Sequence, residues 1–228
     1  MKTFGLLAVS VVLTSCASFV STPLVVSGET LLIQGNILES TAIEFQQALS
    51  QRRISRILIA SGGGLVEPAL TIASEIRDRK LEVEVVGPCF SSCANYIFPA
   101  GATKTISGLG VVAWHGNMTH LLYLHMSGVK PLDPKNLAEV QRLVRSENSF
   151  FASIGLDQFI CWFGKVDPYN VRNMYFLSAA DMAGFGLNDV KVRPGYEHTD
   201  LSSHNNRAVN MQYVKVDWSS LQLPVAAR

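Results

Sequence analysis

The sequence predicts an α/β domain built on a largely parallel core sheet. Three features point there. Strand-like apolar runs alternate with amphipathic helical stretches between residues 31 and 191. The run 54–60, "ISRILIA", is rich in branched apolar residues, as strands covered on both faces are. Glycine-rich turns, "SGGG" foremost, sit where such strands would hand over to helices.

Residues 1–15 read as a secretion leader of the lipoprotein kind. Lys2 gives a short basic start, and "FGLLAVSVVL" is apolar but too short to span a bilayer. "LTSC" then places small residues before Cys16, the expected lipidation site. Acyl chains on Cys16 would anchor the mature chain to a membrane, facing the periplasm. Ala17 in place of an acidic residue favours the outer membrane. The plainer alternative is an ordinary leader cut near "SCA". Removing it leaves 213 residues, enough for one domain: a tether at 16–30, the domain at 31–192 and an irregular extension at 193–228. Without Lys2 the chain carries 18 basic and 18 acidic residues, with no basic stripe, which argues against a nucleic-acid partner.

Within the domain, "TPLVVSGETLLIQGNI" reads as two short strands or one broken strand. Residues 39–53 are helical, with Ala42, Phe45 and Leu49 on one stripe. Strand 54–60 and "SGGG" precede a helix at 65–78, whose Pro68 fits only its first turn. Strand 81–87 leads to a helix from about Ser91 to Phe98, stopped by Pro99 and Gly101. "KTIS" and "LGVVAWHG" are short strands. A long helix spans 134–154, capped by Asp133 and ended by Gly155. "LDQFICWFG" and "SAADMAGFGL" are short helices, the second with Ser178 as cap. "NDVKV" returns to strand, and "MQYVKVDW" holds one edge strand.

The stretch "GPCFSSCANYI" carries chemistry. Strand, tight turn, serine, helix is an arrangement that exposes a hydroxyl and aims amides at it. Ser91 and Ser92 are the candidates. In an oxidising compartment Cys89 and Cys93, four apart, are placed to bridge; the alternative is two packed thiols. The spacing is neither the Cys-x-x-Cys of redox sites nor a zinc-finger pattern, and no metal site is expected. Cys161 reads as a small buried hydrophobe. The glycine triplet lacks the phosphate-loop patterns. His115, at the end of "VVAWHG", is the candidate general base. His120 and His125 fall in "MTHLLYLHM", and His198 and His204 in the tail.

Taken in order, "LLIQGNI", "SGGGLVEPALTIASEI", "SSCANYIFPAG", "VVAWHG" and "YFLSAADMAGFGLNDV" resemble the ClpP/crotonase superfamily. The likeness is strongest to its Clp-type and signal-peptide-peptidase serine proteases and covers about residues 31–191. The resemblance implies a spiral of β-β-α units and an enzyme, a serine peptidase without cofactor or metal acting on peptide or protein substrates. It also implies a homo-oligomer formed through the late helices. It places the nucleophile on Ser92 when counted back from Ala100-Gly101, and on Ser91 when counted forward from Gly87. It implies His115 as base, and Gly63, Gly64 and Cys93 as oxyanion donors. For the third member it points to Asn170, where the family has aspartate, or to the earlier Asp167. The lysine base of the signal-peptide-peptidase branch has no match, Lys104 being the lysine near the site. A silent relative that binds a peptide or partner is the rival expectation.

Overall fold

Sheet pairing follows from where apolar residues alternate. The computed structural model describes residues 22–199, 201 and 210–221. The leader, Cys16 with residues 17–21 of the tether, and His204 lie outside the described residues. Among the described residues the main sheet has seven strands. β1 (Val25–Ser27) pairs antiparallel with β2 (Thr30–Ile37), and every other pairing in it is parallel. β2 is followed by β3 (Arg56–Gly64), β4 (Glu82–Phe90), β5 (Lys104–Ile106) and β8 (Val190–Val192) in the order β1-β2-β3-β4-β5-β8. β6 (Val111–Ala113) pairs with the last residues of β4, while β5 pairs with earlier ones. β3 lies along one edge of β4, so β5 and β6 share the other in succession. A small second sheet joins β7 (Met174–Phe176) to β9 (Met211–Tyr213) in parallel.

Helices α1 (Glu39–Gln51) and α2 (Val66–Asp78) are the crossovers that parallel strands require. Each exists because one stripe is apolar: Ala42, Phe45 and Leu49 on α1, and Ala69, Ile72, Ala73 and Ile76 on α2, are buried. They cover Leu31, Ile33, Ile57, Ile59, Val83 and Val85 of the sheet. Full burial of each aliphatic side chain contributes about 1.5–3 kcal/mol. A π-turn (Cys93–Ile97) runs into α3 (Phe98–Ala100). α4 (Met118–Met126) and α5 (Pro134–Ile154) follow, then two 3-10 turns (Gln158–Cys161, Phe163–Lys165) and α6 (Ala179–Gly184).

Several elements match their sequence signals. Asp133 caps α5 by accepting from the Asn136 N–H, and Ser178 caps α6 by accepting from the Asp181 N–H. Gly155 ends α5 at φ +64°. Others differ. The glycine triplet, expected as a turn, is the end of β3, because Gly63 and Gly64 pair with Asn36 and Ile37 of β2. The helix expected from Ser91 begins as a π-turn. α4, unread in the sequence, forms because Asn117 caps it by accepting from the His120 N–H. Among the described residues no helix is long and apolar enough to cross a membrane.

Candidate functional site

Three neighbouring parallel strands end side by side: β3 at Gly64, β4 at Phe90 and β6 at Ala113. Ligands of α/β sheets gather beyond such carboxyl ends. Ser91 and Ser92 follow β4, and Trp114 and His115 follow β6. The Ser91 N–H donates to Ala113 O at 3.3 Å, holding the two strand ends together. Ser91 itself sits at φ +54°, turning the chain sharply from strand into helix. The helical run then starts, with the Asn95 N–H on Ser91 O at 2.8 Å. Gly63 makes this turn possible. A Cβ there would lie 2.6 Å from Phe90 O and 2.7 Å from Ser91 Cβ.

The cysteines brace the same turn. Cys89 and Cys93 form a disulfide with Cα atoms 5.2 Å apart, joining the end of β4 to the first residue of the π-turn. Cys161 is free and buried, and burial first, then the charges of Glu147 and Asp157, push its thiol pKa well up. That is the reverse of what a reactive thiolate needs. Among the described residues no cluster of three or more His, Cys, Asp or Glu side chains suits a metal ion.

A cavity of about 320 Å³ opens beyond the strand ends, lined by Ser91, Ser92, Asn95, His115, His120 and Leu121 among others. Ser92 is 3% exposed, and its Oγ donates to Gly64 O at 2.8 Å. The Gly63 N–H donates to Ser61 Oγ at 3.1 Å. Of the expected oxyanion donors, then, Gly64 meets the serine with its carbonyl and Gly63 turns its amide away. The Cys93 amide lies in the first turn of the helix, where no preceding carbonyl of the same helix claims it. Gly63 and Gly64, at φ +94° and +158°, are the residue type whose peptides can rotate most freely.

His115 stands at the mouth of the cavity, open to water on one side. Protein packed around the rest of the ring lowers its pKa, and the Lys165 ammonium lowers it further. His120 stacks on Trp162, with centroids 5.4 Å apart and planes at 18°. Burial, helped by the positive charges of Lys165, His115 and Lys130, drives its pKa down to about 4. Both rings are therefore neutral near pH 7. Gly116 leaves room for the His120 ring, since a Cβ there would lie 2.7 Å from His120 Nδ1.

Asp167 and Asn170 lie elsewhere. Asn170 Nδ2 donates to Asp167 Oδ1, and both line an adjoining cavity of about 450 Å³ with His120, Tyr123 and Lys165. His120 and Leu124 border both cavities. Among the described residues no carboxylate lines the cavity of Ser92 and His115. Lys165 Nζ is spent on the Val171, Arg172 and Asn173 carbonyls. Lys104 donates to Gly101 O at 2.8 Å and does not line the serine cavity.

Three residues at this site carried no clear signal in the sequence. Asn95 Nδ2 donates to Gly116 O at 2.9 Å, while its Oδ1 has no partner among the described residues. His120 was one of two histidines in an apolar stretch. Its only signal was Asn117 three positions earlier, at cap spacing. Glu147, buried on α5, looked like any polar residue of a long helix. No protein-family model matches the chain, and no curated protein matches it.

Proposed function

We propose that this chain is an envelope serine hydrolase, best read as a peptidase, lipid-anchored through Cys16. Its fold would be a ClpP/crotonase-like spiral. One observation carries the reading: Ser92 and His115 follow the ends of neighbouring parallel strands and line one cavity. Ser92 Oγ would attack a carbonyl as His115 takes its proton, and His115 would return that proton to the leaving amine. The Cys93 N–H would face the oxyanion, joined by a Gly63 or Gly64 amide after rotation of that segment. Water would then hydrolyse the acyl-serine. The lowered pKa of His115 supports this, since the base is unprotonated near neutral pH. The Cys89–Cys93 disulfide supports an oxidising compartment, in line with the lipoprotein-like leader.

A second reading has its own observation. Ser92 Oγ donates to Gly64 O, and no carboxylate backs His115 from within the cavity among the described residues. A silent relative that holds a peptide or a partner would look the same. One experiment separates the two. A fluorophosphonate probe is expected to label the mature protein and to lose labelling in Ser92→Ala. Loss in Ser91→Ala, with Ser92→Ala still labelled, would move the nucleophile by one residue. No labelling of the wild-type protein would favour the silent reading.

A further inference from the structure

Glu147 is 0% exposed, and among the described residues no cation answers its charge. A buried carboxylate without a counter-ion is costly unless donors surround it. Here the donors come from two places. The Tyr96 hydroxyl donates to Glu147 Oε1 in a short bond. The Met118 N–H donates to the same oxygen at 3.1 Å, and the Thr119 N–H donates to Oε2 at 3.1 Å. Thr119 Oγ1 lies 3.3 Å from Oε2 but 2.9 Å from Gln158 Oε1, so its single proton favours Gln158. Burial raises the Glu147 pKa, and these donors oppose the rise. The other titratable groups beside it are Tyr96 on the serine helix and Cys161 beyond α5.

The donors are not arbitrary. Tyr96 stands four residues after Ser92, and Met118 and Thr119 stand three and four after His115. Glu147 thus clamps the serine helix and the histidine loop from a third element, α5. The Asn95–Gly116 bond stitches the same two segments at a second point. We infer that Glu147 is a positioning residue: through Tyr96 and the first amides of α4 it fixes Ser92 relative to His115. The link to catalysis rests on the serine-hydrolase reading, but the clamp itself is measurable without activity. Glu147→Gln keeps the size and loses one acceptor oxygen, facing an N–H donor with an NH₂ instead. Tyr96→Phe removes a single bond and leaves the carboxylate in place.

The test measures both variants in three ways: folding by near-UV circular dichroism, fluorophosphonate labelling across pH, and the His115 pKa by NMR titration. In folded Glu147→Gln, labelling is expected to slow by roughly 10- to 100-fold, as a misplaced catalytic pair does. Tyr96→Phe is expected to fall between that and wild type. In both, the His115 pKa should rise toward its ordinary 6.5, because a loosened loop lets water reach the packed side of the ring as well. A role confined to stability would leave the pKa and the labelling profile of the folded variants unmoved, and that result overturns the inference. If Glu147→Gln does not fold, Tyr96→Phe decides by the same measures. If the wild-type protein is not labelled, the hydrolase reading fails separately, and the His115 pKa alone decides the clamp.

Discussion

Asn95 Nδ2 donates to the Gly116 carbonyl at 2.9 Å, tying the serine helix to the residue after His115. Asn95 is 3% exposed, so the bond is made away from water. Losing one partner of a buried bond costs more than the bond contributes, because the other group is left unsatisfied. Asn95→Ala should destabilise the protein by about 1–3 kcal/mol, read from urea unfolding. It should also slow fluorophosphonate labelling in the protein that remains folded. Wild-type labelling in a measurably less stable variant would mean the bond is structural only.

Gly63 admits no side chain. A Cβ there would meet Phe90 O, Ser91 Cβ and Ser92 N, all within 2.9 Å, and the residue sits at φ +94°. Gly63→Ala must therefore push back the serine turn, at a cost of about 1–3 kcal/mol for the backbone strain alone. Labelling should be lost while far-UV circular dichroism stays near wild type. Full labelling of the alanine variant would show that the turn tolerates displacement.

The disulfide closes a short loop, so its stabilisation through chain entropy is modest, about 2 kcal/mol. Replacing Cys89 and Cys93 together by alanine should lower Tm by roughly 4–8 °C for a chain of this size. Calorimetry of the oxidised wild type beside the double variant checks this. The larger effect is expected on labelling, since the bridge anchors the residue after Ser92. An unchanged labelling rate would remove the brace from any account of the site.

Acid should both silence the site and weaken the fold. The His115 pKa lies below its ordinary 6.5, so labelling should hold at neutral pH and fall once the pH drops through that lowered value. His120 adds a stability effect of definite sign. Its folded-state pKa is about 4 against an ordinary 6.5. The unfolded chain therefore binds more protons between those values. His120's contribution to stability is full above pH 6.5 and is lost as pH falls toward 4. Thermal melts across that range, wild type against His120→Phe, measure it; the aromatic ring keeps the stack on Trp162. Equal pH slopes for the two proteins would refute the assignment.

Asp167→Asn should leave the labelling rate and its pH profile unchanged. Its carboxylate faces Asn170 and the adjoining cavity, across His120 from Ser92. A large loss of labelling would bring Asp167 back behind the histidine.

The sequence alone determined what local rules govern. Strand and helix alternation, the stripe of Ala42, Phe45 and Leu49, the Asp133 and Ser178 caps and the Gly155 stop depend on near neighbours, and each was legible. So was the Cys89–Cys93 bridge, because four residues bound how far apart two cysteines can be. Tertiary structure decided the rest. Only pairing with β2 makes the glycine triplet the end of a strand, and only close approach to Phe90 and Ser91 makes Gly63 indispensable. Sequence spacing could offer Asp167 or Asn170 as partners for His115, but a turn beyond Lys165 carries both into a neighbouring cavity. Glu147 lies far along the chain from the groups it binds, and no periodicity marks it. Its role comes from the fold bringing two distant segments onto one carboxylate, a property that no local pattern records.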